Sequence, residues 1–224
     1  MVDTFKESKA GVRAWAKLWA QRETCMSEII LDLGSGSNAP YMKDMVDEVI
    51  ARDTGKHCIT FKVQLFKSAP PNVPLSHDAF GCLYDYVHTR GYDLTSSVFD
   101  MDSLNFLLDF EVPFVKIACR PELYWLLDDV PAGQKVYMSG NVHGMRFLPD
   151  VYLLCIPEYP APISEYERRA MKGGWDGISD HTVGLELWNR LRPDKFEKHL
   201  KLPDSTGPDA GEWAITPTEL EAVL

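Results

Sequence analysis

Eight short apolar runs, separated by stretches with helical patterning, constrain this chain more than any other feature of its sequence. The runs cover residues 27–33, 58–64, 93–99, 114–119, 135–139, 151–156, 177–180 and 195–200. Several are almost continuously apolar, the pattern of parallel strands covered on both faces rather than of a half-exposed sheet. Helix-like stretches fill gaps at 41–52, 77–89, 100–109 and 164–171. Strand and helix in alternation build a parallel sheet. Eight such units close it into a (β/α)₈ barrel, the TIM-barrel form of the α/β class. Sharing 224 residues among eight units leaves 28 for each, so the expected barrel is a reduced one. Only residues 140–150 separate strands 5 and 6. A parallel crossover takes about a dozen residues or more, so the helix there is expected to be short or missing. We read residues 27–224 as the barrel and residues 1–26 as an N-terminal helical extension, with Val12, Trp15, Leu18 and Trp19 on one stripe. Near the other end, Thr216-Pro217-Thr218-Glu219 offers an N-cap threonine and a proline at the first position of a short helix.

Composition narrows the function classes. The net charge of −10 argues against nucleic acid and against anionic membrane surfaces as partners, since both select basic patches. No run approaches the roughly 20 apolar residues needed to span a bilayer. The N-terminus lacks the apolar core and cleavage site of a signal peptide, and a cytoplasmic location is expected. The five cysteines are odd in number and form no CxxC pair. They read as free thiols, with Cys58, Cys119 and Cys155 as small hydrophobes in apolar runs.

Polar residues late in the strand-like runs are out of place in a covered barrel. They are Asp32, Lys62, Gln64, Ser96, Ser97, Lys116, Ser139, Tyr159, Asp180, His181, Glu197 and His199. Burying such groups is costly unless they are paired or used. Barrel active sites lie at the C-terminal strand ends, so this recurrence points to a site there.

Six segments, in order, resemble the sialic acid (N-acetylneuraminate) synthase family. GISDHTVGLEL at 177–187 resembles the GLSDHT-x-G signature, and the stretch 196–220 resembles EKHFTLD…GPDH…P-x-EL. CIPEYPAP at 155–162 is similar to C-x-x-x-YP-x-P, VPFVKIAC at 112–119 to VPAFKIAS, TFKVQLF at 60–66 to AVKFQTF, and ILDLGSGSNA at 30–39 to IAEIG-x-NHNG. The resemblance implies a condensation of phosphoenolpyruvate with an N-acylated amino-sugar aldehyde, assisted by a divalent metal (Mn²⁺ first, Mg²⁺ or Co²⁺ otherwise), with release of phosphate. It implies His181 and His199 as metal ligands, and Lys116, Ser96 or Ser97, Ser139 and Ser179 as contacts to the phosphoenolpyruvate anion. Lys62 and Gln64 match the KFQ strand, and Tyr159 matches the substrate-contacting tyrosine. Asp180 and Glu197 fit positions beside the metal or on substrate hydroxyls.

The pattern also departs from the family. Asp32 stands where the opening glutamate is expected, and NHNG becomes Gly36-Ser37-Asn38-Ala39. KIASGE becomes KIACRPE, which puts Glu122 six residues after Lys116 instead of five and Cys119 in place of serine. Pro157 takes the place of an asparagine. Typical members continue into a C-terminal antifreeze-like domain that lends an arginine to the partner's acceptor pocket, whereas the sequence stops at Leu224, directly after the barrel. The expectation is therefore an acceptor other than N-acetylmannosamine, or an acceptor pocket completed by a homodimer or by a separate chain. Three functions stay open on the sequence: an active synthase, a catalytically degenerate barrel that binds a metal or sugar acid, and a lysine Schiff-base aldolase.

Overall fold

The computed structural model describes residues 25–35, 39–65, 74–140 and 148–224. Eight parallel strands close in sequence order, each hydrogen-bonded to the next and the eighth to the first. They are β1 (Glu28–Asp32), β2 (Cys58–Leu65), β3 (Asp93–Val98), β4 (Val115–Ile117), β5 (Val136–Ser139), β6 (Val151–Cys155), β7 (Gly177–Asp180) and β8 (Lys195–His199). The (β/α)₈ barrel expected from the apolar runs is the fold observed. Around it lie α1 (Ala39–Ile50), α2 (His77–His88), α3 (Met101–Leu107), a 3₁₀ helix (Pro121–Asp129), α4 (Ile163–Ala170), α5 (Glu186–Leu191) and α6 (Pro217–Leu220). Local chemistry fixes several starts. Ser76 accepts from the Ala79 amide at α2, Asp100 from the Ser103 amide at α3, and Thr216 and Glu219 form a reciprocal capping box at α6.

Period-two alternation sorts the strand residues into two cores. Ile29, Leu31, Phe61, Val63, Val115, Ile117, Met138, Ile178 and Phe196 belong to the large cluster between barrel and helices. A second cluster, Ile30, Phe114, Tyr137, Val151 and Leu153, sits on the alternate positions and fills the lower barrel, with the Phe114 and Tyr137 rings stacked at 3.8 Å. Moving up two residues on these strands reaches Asp32, Lys116, Ser139 and Cys155. The barrel is therefore plugged by apolar side chains below and carries a polar layer directly above the plug.

Two expectations lie wholly or largely outside the described residues. They are the N-terminal helical extension, most of which falls in 1–24, and the reduced connection between β5 and β6, most of which falls in 141–147. One expectation is corrected. Cys25 and Cys58 form a disulfide with Cα atoms 5.5 Å apart, so the five cysteines are not all free. The cause is tertiary: Cys58 opens β2 beside the start of β1, and its amide bonds to the Ser27 carbonyl, two residues from Cys25. Cys82, Cys119 and Cys155 are free. No described helix is long and apolar enough to cross a membrane.

Candidate active site

A cavity of about 210 Å³ opens at the C-terminal ends of the strands. Its walls include Asp32, Lys62, Gln64, Ser97, Lys116, Ser139, Tyr159, Ser179, His181, Glu197 and His199. Eleven of the fourteen residues singled out from the sequence thus converge on one space. A larger cavity of about 720 Å³ lies at the opposite, N-terminal strand ends, beside the disulfide. The carboxylates and lysines on its wall reach solvent, whereas those of the smaller cavity are buried. Chemistry in barrels belongs to the C-terminal face, and the smaller cavity is the candidate.

Its floor is a network of buried charges. The Lys62 ammonium donates to Asp32 Oδ2 at 2.5 Å and to Ser97 Oγ at 3.0 Å. Asp32 also accepts from the Gly34 amide at 2.9 Å and from Gln64 Nε2 at 3.2 Å. Burial pushes the Asp32 carboxyl up, but the Lys62 charge, His199 and the Gly34 amide together outweigh it and hold the group well below the usual carboxylate range. For Lys62, burial likewise opposes the charge, and Asp32 then Glu197 more than restore it, leaving the ammonium pKa raised. This pair is fully ionised.

Lys116 is held more loosely. Its ammonium donates to Ser139 Oγ at 2.7 Å and to the Ile117 carbonyl at 3.2 Å, but lies 3.7 Å from Glu197 Oε2, beyond a direct hydrogen bond. Burial lowers its pKa, and Glu197 offsets only part of that. Ser179 donates to Glu197 Oε1 at 2.8 Å, which leaves Oε2 buried without a hydrogen bond. Lys116 is thus a buried cation whose nearest carboxylate stands beyond direct hydrogen-bond distance.

The two histidines face each other across the mouth, with ring centroids 5.7 Å apart. His181 Nδ1 meets the Ile156 carbonyl at 2.8 Å, which fixes Nδ1 as the protonated nitrogen and leaves Nε2 a lone pair. Burial first, then His199, push the His181 pKa down to about 3, so the ring is neutral and able to ligate near neutral pH. His199 Nδ1 is buried without a partner, and its Nε2 lies 3.7 Å from Asp32 Oδ2. Two imidazoles on one cavity wall with the Glu197 carboxylate are donors that fit a divalent cation. Among the described residues no three His, Cys, Asp or Glu side chains form a metal cage, so an ion here would take its other ligands from water and substrate. Tyr159 covers this corner, its ring stacked on His181 at 4.1 Å and edge-on to Trp213 at 5.3 Å.

Three of the sequence candidates are not at the cavity. Ser96 points outward, donating to the Val63 carbonyl at 3.1 Å. Asp180 also faces the helix layer, where it pairs with Lys198 at 2.8 Å in a fully buried salt bridge. Burial raises the Asp180 pKa and lowers that of Lys198, each against the pull of its partner. Glu122 is exposed on the second residue of the 3₁₀ helix. Arg120, two residues before it, reaches the cavity instead, with its guanidinium over the Phe99 ring at 5.4 Å.

The same architecture recurs in solved structures. No family model matches the chain, and no curated protein matches it by sequence. Its structure is similar to that of the N-acetylneuraminic acid (sialic acid) synthetase of Leptospira borgpetersenii serovar Hardjo-bovis, solved in complex with citrate. The TM-score is 0.67 at 21% identity, covering 87% of this chain and 80% of that one. It is similar to the spore coat polysaccharide biosynthesis protein E of Chromobacterium violaceum, with TM-score 0.70 at 17% identity over 88% and 72% of the two chains. The phospho-2-dehydro-3-deoxyheptonate aldolase (DAHP synthase) of Thermotoga maritima follows with TM-score 0.63 at 11% identity over 88% and 67%. The fold is that of these three barrels.

Sequence reasoning passed over four residues that shape the candidate site. Arg120, Cys119 and Cys155 line the cavity. Asp209 accepts from the Ser35 amide at 2.6 Å and from its hydroxyl at 3.0 Å, which folds the loop after β8 over the end of β1. That contact requires Gly34: a Cβ there would lie 2.7 Å from Asp209. The Gly-Pro-Asp run at 207–209 was the available signal, since such a run marks a turn whose carboxylate is free to cap a neighbour.

Proposed function

We propose that the chain condenses phosphoenolpyruvate with the aldehyde of an N-acylated amino sugar, giving a sialic-acid-like 2-keto sugar acid and phosphate. The observation that carries this reading is the gathering of two buried lysines and two histidines around one cavity at the strand ends. Lys116, Ser139 and Arg120 offer donors for the phosphate and carboxylate of phosphoenolpyruvate. Lys62, fixed by Asp32 and Ser97, adds a second positive charge that needs no reorganisation on binding. His181 and His199 would hold a divalent metal, Mn²⁺ first among the candidates, whose Lewis acidity would serve the aldehyde acceptor when bound. Glu197 Oε2, buried and without a hydrogen bond, would be the carboxylate oxygen that accepts a proton in this reading, since burial is outweighed by Lys116 and Lys62, which lower its pKa. Tyr159 and Trp213 form an aromatic wall suited to the apolar face of a sugar chain. The reading goes with a cytoplasmic setting, where phosphoenolpyruvate is made; the Cys25–Cys58 disulfide is the feature least usual there.

A second reading keeps the ligand and drops the chemistry: a barrel that binds a metal or sugar acid. The exposure of Glu122 favours it, because the carboxylate expected beside Lys116 is not in the cavity. Phosphate release from phosphoenolpyruvate with Mn²⁺, across a panel of amino-sugar aldehydes, separates the two. The synthase reading predicts release with at least one sugar and its loss in His181→Ala. Metal and phosphoenolpyruvate binding without release from any sugar would leave the binding barrel.

A further inference from the structure

The Cys25–Cys58 disulfide has no part in the proposed condensation, and its surroundings are not those of a buried staple. Both cysteines are half-buried, and both stand on the wall of the cavity of about 720 Å³ at the N-terminal strand ends. A small thiol that enters this cavity meets the pair on its wall. The segment that must move is lightly held. Cys25 precedes β1, and its neighbour Met26 is 68% exposed. Among the described residues, the backbone bonds at this end run from the Met26 amide to the Lys56 carbonyl at 3.1 Å and from the Cys58 amide to the Ser27 carbonyl at 3.0 Å. From Glu28 onwards the strand is paired on both sides, with β2 and with β8. Breaking the S–S bond therefore frees residues 25–27 and leaves the barrel closed. The same pairing favours reclosure, because Glu28 stays opposite Cys58 and holds the two cysteines near each other. Accessible disulfides of this kind belong to the labile class rather than the structural one.

We propose that Cys25–Cys58 is a reversible redox clasp, opened by a thiol reductant from the N-terminal cavity and closed again by the oxidised form of that reductant. A reductant thiolate attacks one of the two sulfurs, forming a mixed disulfide and expelling the other cysteine as a thiolate. A second reductant thiolate attacks the reductant sulfur of the mixed bond, forms the reductant's own disulfide and expels the remaining cysteine. Two electrons pass from the two reductant thiols to the cysteine pair, and their two protons end on the cysteines. Closure is the reverse. The bond spans a sequence separation of 33 residues that holds β1, α1 and Asp32. Closing it restricts the unfolded chain, so its redox state sets how firmly the β1–β2 seam resists unfolding. The upper end of that seam carries the Asp32–Lys62 pair. The clasp rests on no part of the condensation reading.

The test uses the full chain, without denaturant, equilibrated with graded ratios of reduced to oxidised glutathione, then alkylated, digested and mapped by mass spectrometry. The expected result is that Cys25 and Cys58 become alkylated together while circular dichroism shows the barrel still folded. The cross-linked peptide pair should return when the buffer is exchanged for the oxidised one. The reduced chain should melt several degrees below the oxidised chain, and Cys25→Ser should melt with the reduced chain in either buffer. A pair that is alkylated only after denaturant is added would be a fixed structural bond and would overturn the proposal. So would a reduced pair that does not close again, or one whose opening leaves the melting temperature unchanged. The wild-type map and melting curve decide it without reference to any catalytic activity.

Discussion

At the residue scale, the cavity is a problem in buried charge. Asp32 and Lys62 are each only 2% exposed, so each makes the other tolerable. Asp32→Asn leaves the ammonium without its closest anion and is predicted to cost about 3–5 kcal/mol in chemical denaturation. The pH dependence follows from the direction of the shift. Because the folded-state pKa of Asp32 lies below its ordinary 3.8, the pair's stabilisation is present above that pH and drains away as pH falls through the folded value. Wild-type stability should therefore drop below about pH 4, and the Asp32→Asn variant should show a flatter acid limb. An unchanged acid limb in the variant would mean the pair does not set it. The outward pair behaves differently, because no ligand needs it. Lys198→Met should cost about 3–5 kcal/mol by stranding Asp180, and the Asp180→Asn, Lys198→Met double variant should regain much of that loss. A double variant no more stable than Lys198→Met alone would show that packing, not charge, is what Lys198 supplies.

At the scale of elements, most of the map was legible, because a strand covered on both faces has no choice but to be apolar. Seven of the eight observed strands fall within the segments read from the sequence, and β2 runs one residue further, to Leu65. The side to which each polar residue points was legible only in part. Glu197 and His199 are spaced by two and both face in, as do Lys62 and Gln64. That spacing already excludes the immediate neighbours: if His181 faces in, Asp180 faces out, and if Ser97 faces in, so must Ser96 face out. The Cys25–Cys58 disulfide was not legible, since its 33-residue separation becomes a contact only once β1 and β2 pair. Glu122 was misjudged because its place depends on the 3₁₀ helix that begins at Pro121. Element boundaries give their own test. Thr216→Ala removes the cap of α6, whose Leu220 is fully buried, and should lower stability by about 1 kcal/mol in a denaturant titration. A loss well below that would show the capping box to be redundant with the packing of Leu220.

For the whole molecule, the barrel explains why a small chain can hold so many ionisable groups. The apolar plug of Ile30, Phe114, Tyr137, Val151 and Leu153 closes the barrel below, and the helix layer seals it outside. Among the described residues, the polar layer opens into the cavity at the C-terminal strand ends. On the proposed reading, that geometry admits a small anion, desolvates it and presents it to the two histidines at the rim. The central claim is that a carbon–carbon bond forms there. Phosphoenolpyruvate labelled with carbon-13 at C3, incubated with the chain, Mn²⁺ and an N-acylated amino-sugar aldehyde, tests it directly by nuclear magnetic resonance. The account predicts that the label moves into the methylene group of a 2-keto sugar acid as phosphate appears. Label found only in phosphoenolpyruvate, or only in the methyl group of pyruvate, would contradict it.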